Sequence, residues 1–166
     1  FTIELAIGIL LFTGTSPAAS QNRNTKPPNI IFIFCDDLGF GDLGCYGSRT
    51  TRTPVIDNMA KEGLLFTNFS VASPVCSPSR VGVMTGRYPS SLSFHAHLAS
   101  LEANQQRGIP HSLDPEVATL TKMLQSAGYV TGHFGKWHMG GPQDKSAPPP
   151  EAYGIAISGT VLSNGP

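Results

Sequence analysis

At 166 residues the chain is long enough for one domain with a core of its own. Eleven Lys and Arg balance eleven Asp and Glu, for a formal charge of zero. That balance argues against a basic face for nucleic acid or for an anionic membrane, so partners are to be sought at local sites.

Residues 1–20 hold an apolar stretch from Leu5 to Phe12 followed by small residues. This is the layout of a signal peptide without its basic start, with Glu4 where a positive residue is expected. The stretch is shorter than the roughly 20 residues that cross a bilayer, so no stable membrane span is expected. A buried strand or helix is the alternative. Residues 21–28 read as a polar linker. The missing initiator Met, and an end in "SNGP" after Pro148 to Pro150, read as a fragment of a longer exported protein, periplasmic or extracellular.

An oxidising compartment permits disulfides, but three cysteines cannot all pair. Cys35 and Cys45 read as small buried thiols, with a mutual disulfide as the alternative.

"NIIFIFC", Asn29 to Cys35, is a continuous β-rich apolar run and predicts a strand buried on both faces of a mostly parallel sheet. The polar stretch after it puts Asp36 and Asp37 at the carboxyl end of that strand, where open α/β sheets bind ligands. A helix is predicted with Thr53 as N-cap, Pro54 at its first position, Ile56, Met59 and Ala60 on one face, and Gly63 as stop. "LLFTNF", Leu64 to Phe69, predicts a second strand, and Pro78 to Gly86 a second helix with Ser77 as N-cap. Asp114 and Pro115 open the clearest helix, along which Leu120, Met123, Leu124 and Ala127 recur before Gly128. "YVTGHFGKWH" predicts a further strand, and the tail from Gly140 reads as loop. This alternation indicates an α/β fold with helices packed on a sheet.

Adjacent carboxylates at Asp36 and Asp37 repel unless a cation joins them, and hard oxygen ligands suit Ca²⁺ or Mg²⁺. A solvated loop is the plainer reading of such a pair in isolation. Cys76 stands before a helix start, with Arg80 one turn on, a setting that stabilises a thiolate or a bound oxyanion. A packed free thiol is the plainer alternative there. Lys136 and His138, two apart on a predicted extended segment, project to one side, offering a point charge and a proton carrier. His95 and His97 have the spacing of a zinc pair, but no third soft ligand accompanies them. Together the carboxylates, the helix-start cysteine with its arginine, and the Lys/His pair suit attack on a tetrahedral oxyanion ester.

"PVCSPSRVGVMTG" resembles the first signature of the type I, formylglycine-dependent sulfatases, whose core is CxPSR. "GYVTGHFGKWH" resembles the second, with Phe134 where a smaller residue is more usual, and "NIIFIFCDDLGFGDLGCYG" is similar to the N-terminal strand and metal loop. The likeness runs from about Pro28 to Gly141 and is locally nearest to bacterial arylsulfatase A-type enzymes. It implies an alkaline-phosphatase-like α/β/α sandwich, of which residues 29–166 would be the N-terminal part. It also implies Ca²⁺ rather than Mg²⁺, and conversion of Cys76 to formylglycine (3-oxoalanine) by a separate maturation enzyme. By matching positions, Asp36, Asp37 and residue 76 would hold the metal, and hydrated formylglycine at 76 would be the nucleophile. Arg80 would stabilise that residue, Lys136 would hold the sulfate and residue 76, and His138 would hydrogen-bond the diol. The expected substrate is a sulfated small molecule or glycan. The further metal ligands and pocket residues of the family have no counterpart within the 166 residues, so weak metal binding and no turnover are expected of this stretch alone. A phosphonate or phosphodiester hydrolase with the same nucleophile, or a non-catalytic sulfatase-like binding protein that keeps its thiol, are the rival readings.

Overall fold

The structure is a computed structural model that describes residues 26–140 and 147–161. The expected leader, residues 1–20, and residues 21–25 of the linker lie outside the described residues, as does the terminal "SNGP". The chain divides into two units, residues 1–34 and 35–166.

In the first unit residues 26–34 form neither strand nor helix, and Ile30, Ile31, Phe32 and Ile33 are exposed. The expected buried strand over 29–35 is therefore not formed. Burial on both faces requires flanking strands and covering layers, and the described residues supply a sheet of two strands only. Cys35 is accordingly exposed rather than buried. Cys45 is half-buried, and all three cysteines are free.

In the second unit two short 3₁₀ turns, Phe40–Asp42 and Gly44–Tyr46, precede α1, Pro54–Glu62. Pro54 opens α1 and Gly63 closes it by donating to Met59 O, as predicted. Thr53 serves differently from a simple cap. Its hydroxyl accepts from Gly44 N–H at 2.8 Å and donates to Asp57 Oδ1 at 2.8 Å, tying the glycine-rich turn to the helix. The predicted apolar face is present but not buried, with Ile56 and Met59 exposed. Leu64 to Phe69 forms no strand and is likewise exposed.

Helix α2, Cys76–Thr85, begins two residues earlier than predicted, with Val75 as N-cap and Cys76 as its first residue. Pro78 tolerates this because the first turn of a helix leaves its N–H groups without intrahelical partners. A 3₁₀ turn, Pro89–Leu92, and α3, Leu101–Gln106, follow; the sequence reading had no element there. Helix α4 is shorter than predicted, Leu120–Ser126 with Thr119 as N-cap. Asp114 instead closes a local turn, its Oδ1 accepting from Glu116 N–H at 2.9 Å, which competes with helix initiation.

Strand β1, Gly132–Lys136, pairs in parallel with β2, Ile157–Val161, in the register Gly132 to Ile157 and Lys136 to Val161. Residues 137–156 supply the long crossover that a parallel pair needs. The tail beyond Gly140 therefore contains a strand where the sequence reading placed only loop.

The core gathers Val81, Phe94, Leu98, Ile109, Leu113, Trp137, Met139, Tyr153 and Ile155. Trp137 lies 5.1 Å from the Tyr153 ring and edge-on to His133 at 5.2 Å. The Tyr153 hydroxyl donates to Leu113 O, and burial, aided by Asp114, pushes it up to about 12, so it stays a neutral donor. Gly154, next along, has φ +79°, and a Cβ there would stand 2.8 Å from Lys122 N. Gly154→Ala is expected to cost about 1–3 kcal/mol, read as a lower urea midpoint; an unchanged midpoint would contradict this packing.

Candidate active site

Three separated segments build the site. The first is the loop at Asp36 and Asp37, where Asp37 takes φ 55°, a left-handed conformation that Asp tolerates better than most residues. The second is the first turn of α2, in which Ser77, Pro78, Ser79 and Arg80 are all buried while Cys76 is half-buried. The third is the end of β1 at Lys136.

Arg80 joins the three. Its Nη1 donates to Lys136 O at 2.5 Å and its Nη2 to Asp36 Oδ1 at 3.0 Å. Lys136 Nζ donates to the other oxygen, Asp36 Oδ2, at 2.7 Å, and lies 3.4 Å from Cys76 Sγ. The Lys136 hydrogen bond, which outweighs partial desolvation, and then Arg80 hold the Asp36 carboxyl below its ordinary value. Partial burial would lower the Lys136 ammonium, but Asp36 and the Cys76 sulfur more than offset it and raise it. Cation and anion thus each stabilise the charged form of the other.

Asp36, Asp37 and Cys76 each place a ligating atom within 4.8 Å of the others. Two hard carboxylates fit Ca²⁺ or Mg²⁺, and a carboxylate oxygen has lone pairs enough to keep a hydrogen bond while facing a metal. The misfit in this set is the soft sulfur; an oxygen at position 76 would suit a hard cation better.

The sulfatase family model matches residues 28–155. The chain belongs to the sulfatase family. Human arylsulfatase A is 42% identical over 129 residues, which cover 77% of this chain and 24% of that protein. The N-acetylgalactosamine-6-O-sulfatase of Bacteroides thetaiotaomicron is 40% identical over 144 residues, covering 85% of this chain and 27% of that protein. A solved B. thetaiotaomicron sulfatase, described in the context of glycosaminoglycan metabolism, matches with a TM-score of 0.71 at 36% identity, over 84% of this chain and 29% of that one. The sulfatase chain thus spans between 24% and 29% of the length of these relatives. The fold is the alkaline-phosphatase-like α/β fold of these neighbours, present in part.

Within this sulfatase chain His138 departs from the expectation that it shares one extended segment with Lys136. Strand β1 ends at Lys136, and His138 lies beyond it at φ 51°. Its ring is buried, with Nε2 3.0 Å from Leu98 O. A carbonyl only accepts, so Nε2 carries the proton and Nδ1 is the ring's acceptor. Burial holds His138 below the ordinary imidazole range; Lys136, Arg80 and His97 push the same way, and the bond to Leu98 opposes them. The unfolded chain therefore takes up this proton first as pH falls. The stability due to neutral His138 is complete above its ordinary 6.5 and is lost as pH falls through the folded value. An NMR titration of His138 is expected to give a midpoint below 6.5, and a midpoint at or above it would contradict this burial.

Among the described residues neither His95 nor His97 belongs to a group of three or more candidate metal ligands. His95 Nε2 lies 3.0 Å from Arg107 O, and the His97 ring is exposed. Residues that the sequence reading missed also shape the site. Ser77, expected as a helix cap, instead accepts from Leu98 N–H at 3.0 Å. Asn104, 1% exposed, holds both backbone groups of Ala99. Nothing local in the sequence signals either contact, since each depends on the course of the loop after α2.

Proposed function

We propose that the chain carries the nucleophile and part of the metal site of an exported sulfuric ester hydrolase that releases inorganic sulfate from a sulfated organic substrate. The observation that carries this reading is the convergence of Asp36, Asp37, Cys76, Arg80 and Lys136, drawn from segments up to 100 residues apart.

Asp36, Asp37 and residue 76 would hold Ca²⁺, with Mg²⁺ as second choice. Bound there, the metal would supply positive charge that polarises the sulfate and favours the ionised nucleophile. Cys76, converted to formylglycine by a maturation enzyme, would offer a hydrated aldehyde whose two hydroxyls divide attack and release between them. A serine would leave a sulfate ester for water to open.

The chain's own groups have separable tasks. Lys136 Nζ, between Asp36 and residue 76, places a fixed charge where an incoming sulfate oxygen would sit. Arg80, anchored at both guanidinium ends, keeps Asp36 and the end of β1 in position and adds to the same field. His138, buried beside the site with Nε2 on Leu98 O, would hydrogen-bond the diol of hydrated residue 76. The three donors found among the described residues fall short of the six to eight that Ca²⁺ takes, so this stretch by itself would bind it weakly and turn over nothing.

The proposed leader, residues 1–20, would direct the protein to the periplasm or beyond. Among the described residues no helix is long and apolar enough to cross a membrane. The N-acetylgalactosamine named in one relative and the glycosaminoglycans named with a solved one favour a sulfated glycan as substrate class.

Mass analysis of the tryptic peptide Glu62 to Arg80, from protein made with the maturation enzyme, tests the reading. Replacement of the thiol sulfur by an aldehyde oxygen is the expected result. An alkylatable cysteine in all of the protein would favour a binding protein instead.

A further inference from the structure

Two peptide groups meet at Leu98, and each is held at both ends. In the first, the His97 carbonyl accepts from Arg107 Nη1 at 3.1 Å, and the Leu98 N–H donates to Ser77 Oγ, in the first turn of α2, at 3.0 Å. In the second, the Leu98 carbonyl accepts from His138 Nε2 at 3.0 Å, and the Ala99 N–H donates to Asn104 Oδ1 at 2.8 Å. A peptide group is planar, so fixing its N–H fixes the direction of its carbonyl. Bonds at the two ends also polarise one another, so an acceptor on the Ala99 N–H makes the Leu98 oxygen a better partner for the imidazole.

Asn104 projects from α3 and is 1% exposed. Its amide has one possible orientation: Oδ1 faces the Ala99 N–H, and Nδ2 then donates to Ala99 O at 3.2 Å. A buried amide that satisfies both backbone groups of one loop residue would ordinarily anchor the loop and nothing more. Here the peptide it grips also carries the carbonyl that holds a buried histidine, two residues beyond Lys136.

We infer that Asn104 is a positioning residue, which acts through the Leu98–Ala99 peptide to keep His138 in its Nε2–H tautomer and its ring in one orientation. The assignment rests on the sulfatase reading of the site and on the part given there to His138. Because the effect passes through the partner of residue 76 and not through substrate, its loss is expected in kcat and not in KM.

The test uses the full-length, matured enzyme with 4-nitrophenyl sulfate, and ¹⁵N-histidine labelling in which His138→Ala identifies the His138 signals. Asn104→Ala is expected to lower kcat at least about tenfold, with KM within about twofold, a loss of the size that a small misplacement causes. It is also expected to turn the single Nε2–H tautomer of the neutral ring into a mixture. Asn104→Leu, which fills the space without hydrogen-bonding, is expected to do the same and carries the test where alanine unfolds the loop. Asn104→Asp, protonated as burial favours, offers the same acceptor and donor and is expected to keep most of kcat and the wild-type tautomer. In a His138→Ala background Asn104→Ala is expected to cost no more than about twofold, because its path to residue 76 is already cut. An unchanged tautomer in Asn104→Ala and Asn104→Leu, or the same loss of kcat with and without His138, overturns the assignment. Full kcat in His138→Ala overturns the part given to His138 and this assignment with it, while leaving the sulfatase reading intact. A wild type that releases sulfate neither from this ester nor from sulfated monosaccharides sinks the sulfatase reading, and the tautomer then still decides whether Asn104 orients His138.

Discussion

Replacing Cys76 by alanine in the full-length, matured enzyme is expected to lower kcat for 4-nitrophenyl sulfate by at least about 10⁴-fold, as removal of a nucleophile does elsewhere. Cys76→Ser is expected to fail as well, because a single hydroxyl leaves its sulfate ester waiting for water. Position 76 sits at the first residue of α2 with Lys136 Nζ 3.4 Å from its sulfur. Lys136 and Arg80 stay in place in both variants, so sulfate should still inhibit any residual activity. Retention of a tenth or more of wild-type kcat by Cys76→Ala would rule out residue 76 as nucleophile.

Arg80→Ala is expected to cost about 10²–10³ in kcat/KM, the range for loss of one preorganised electrostatic group. The guanidinium makes two bonds in different directions, one to the Lys136 carbonyl and one to Asp36. A lysine ammonium cannot reproduce that fork, so Arg80→Lys should recover little. Because Asp36 would keep only Lys136 as a cationic partner among the described residues, Ca²⁺ affinity measured by calorimetry should change in the same variant. Full activity in Arg80→Lys would show that charge alone, and not the two-ended anchoring, is what the site requires.

Much of the site was legible because its chemistry is written in short local runs. "DD" after an apolar run, "CSPSR" and "GKWH" each announce a charge pattern, and the structure brings Asp36, Cys76, Arg80 and Lys136 into one hydrogen-bonded group. The helices at Pro54 and after Val75 were legible for a similar reason, since proline near the start and glycine at the end act within a few residues. Strand identity was harder. Asn29 to Cys35 and Leu64 to Phe69 have strand composition, yet a strand exists only when a neighbour accepts its backbone bonds, and composition does not say which neighbour is present. Ile157–Val161 was missed for the converse reason: "ISGTV" contains a glycine and two hydroxyls, and its pairing depends on β1, 25 residues away in register. Asp114 misled because Asp-Pro opens turns as readily as helices.

The ion pair between Asp36 and Lys136 also has a kinetic side. It closes a loop of 100 residues, and closing so long a loop costs entropy before any contact offsets it. Helix α2 is local and can form early, so during folding Cys76 is expected to spend an interval in place but unguarded by Lys136. The length of that interval is set by the folding rate rather than by any equilibrium of the finished site. Pulsed alkylation during refolding should therefore find Cys76 reactive until the last phase, and conditions that slow folding should widen the period in which a modifying enzyme can reach it. Protection of Cys76 in the earliest phase would mean that the distant segments meet first.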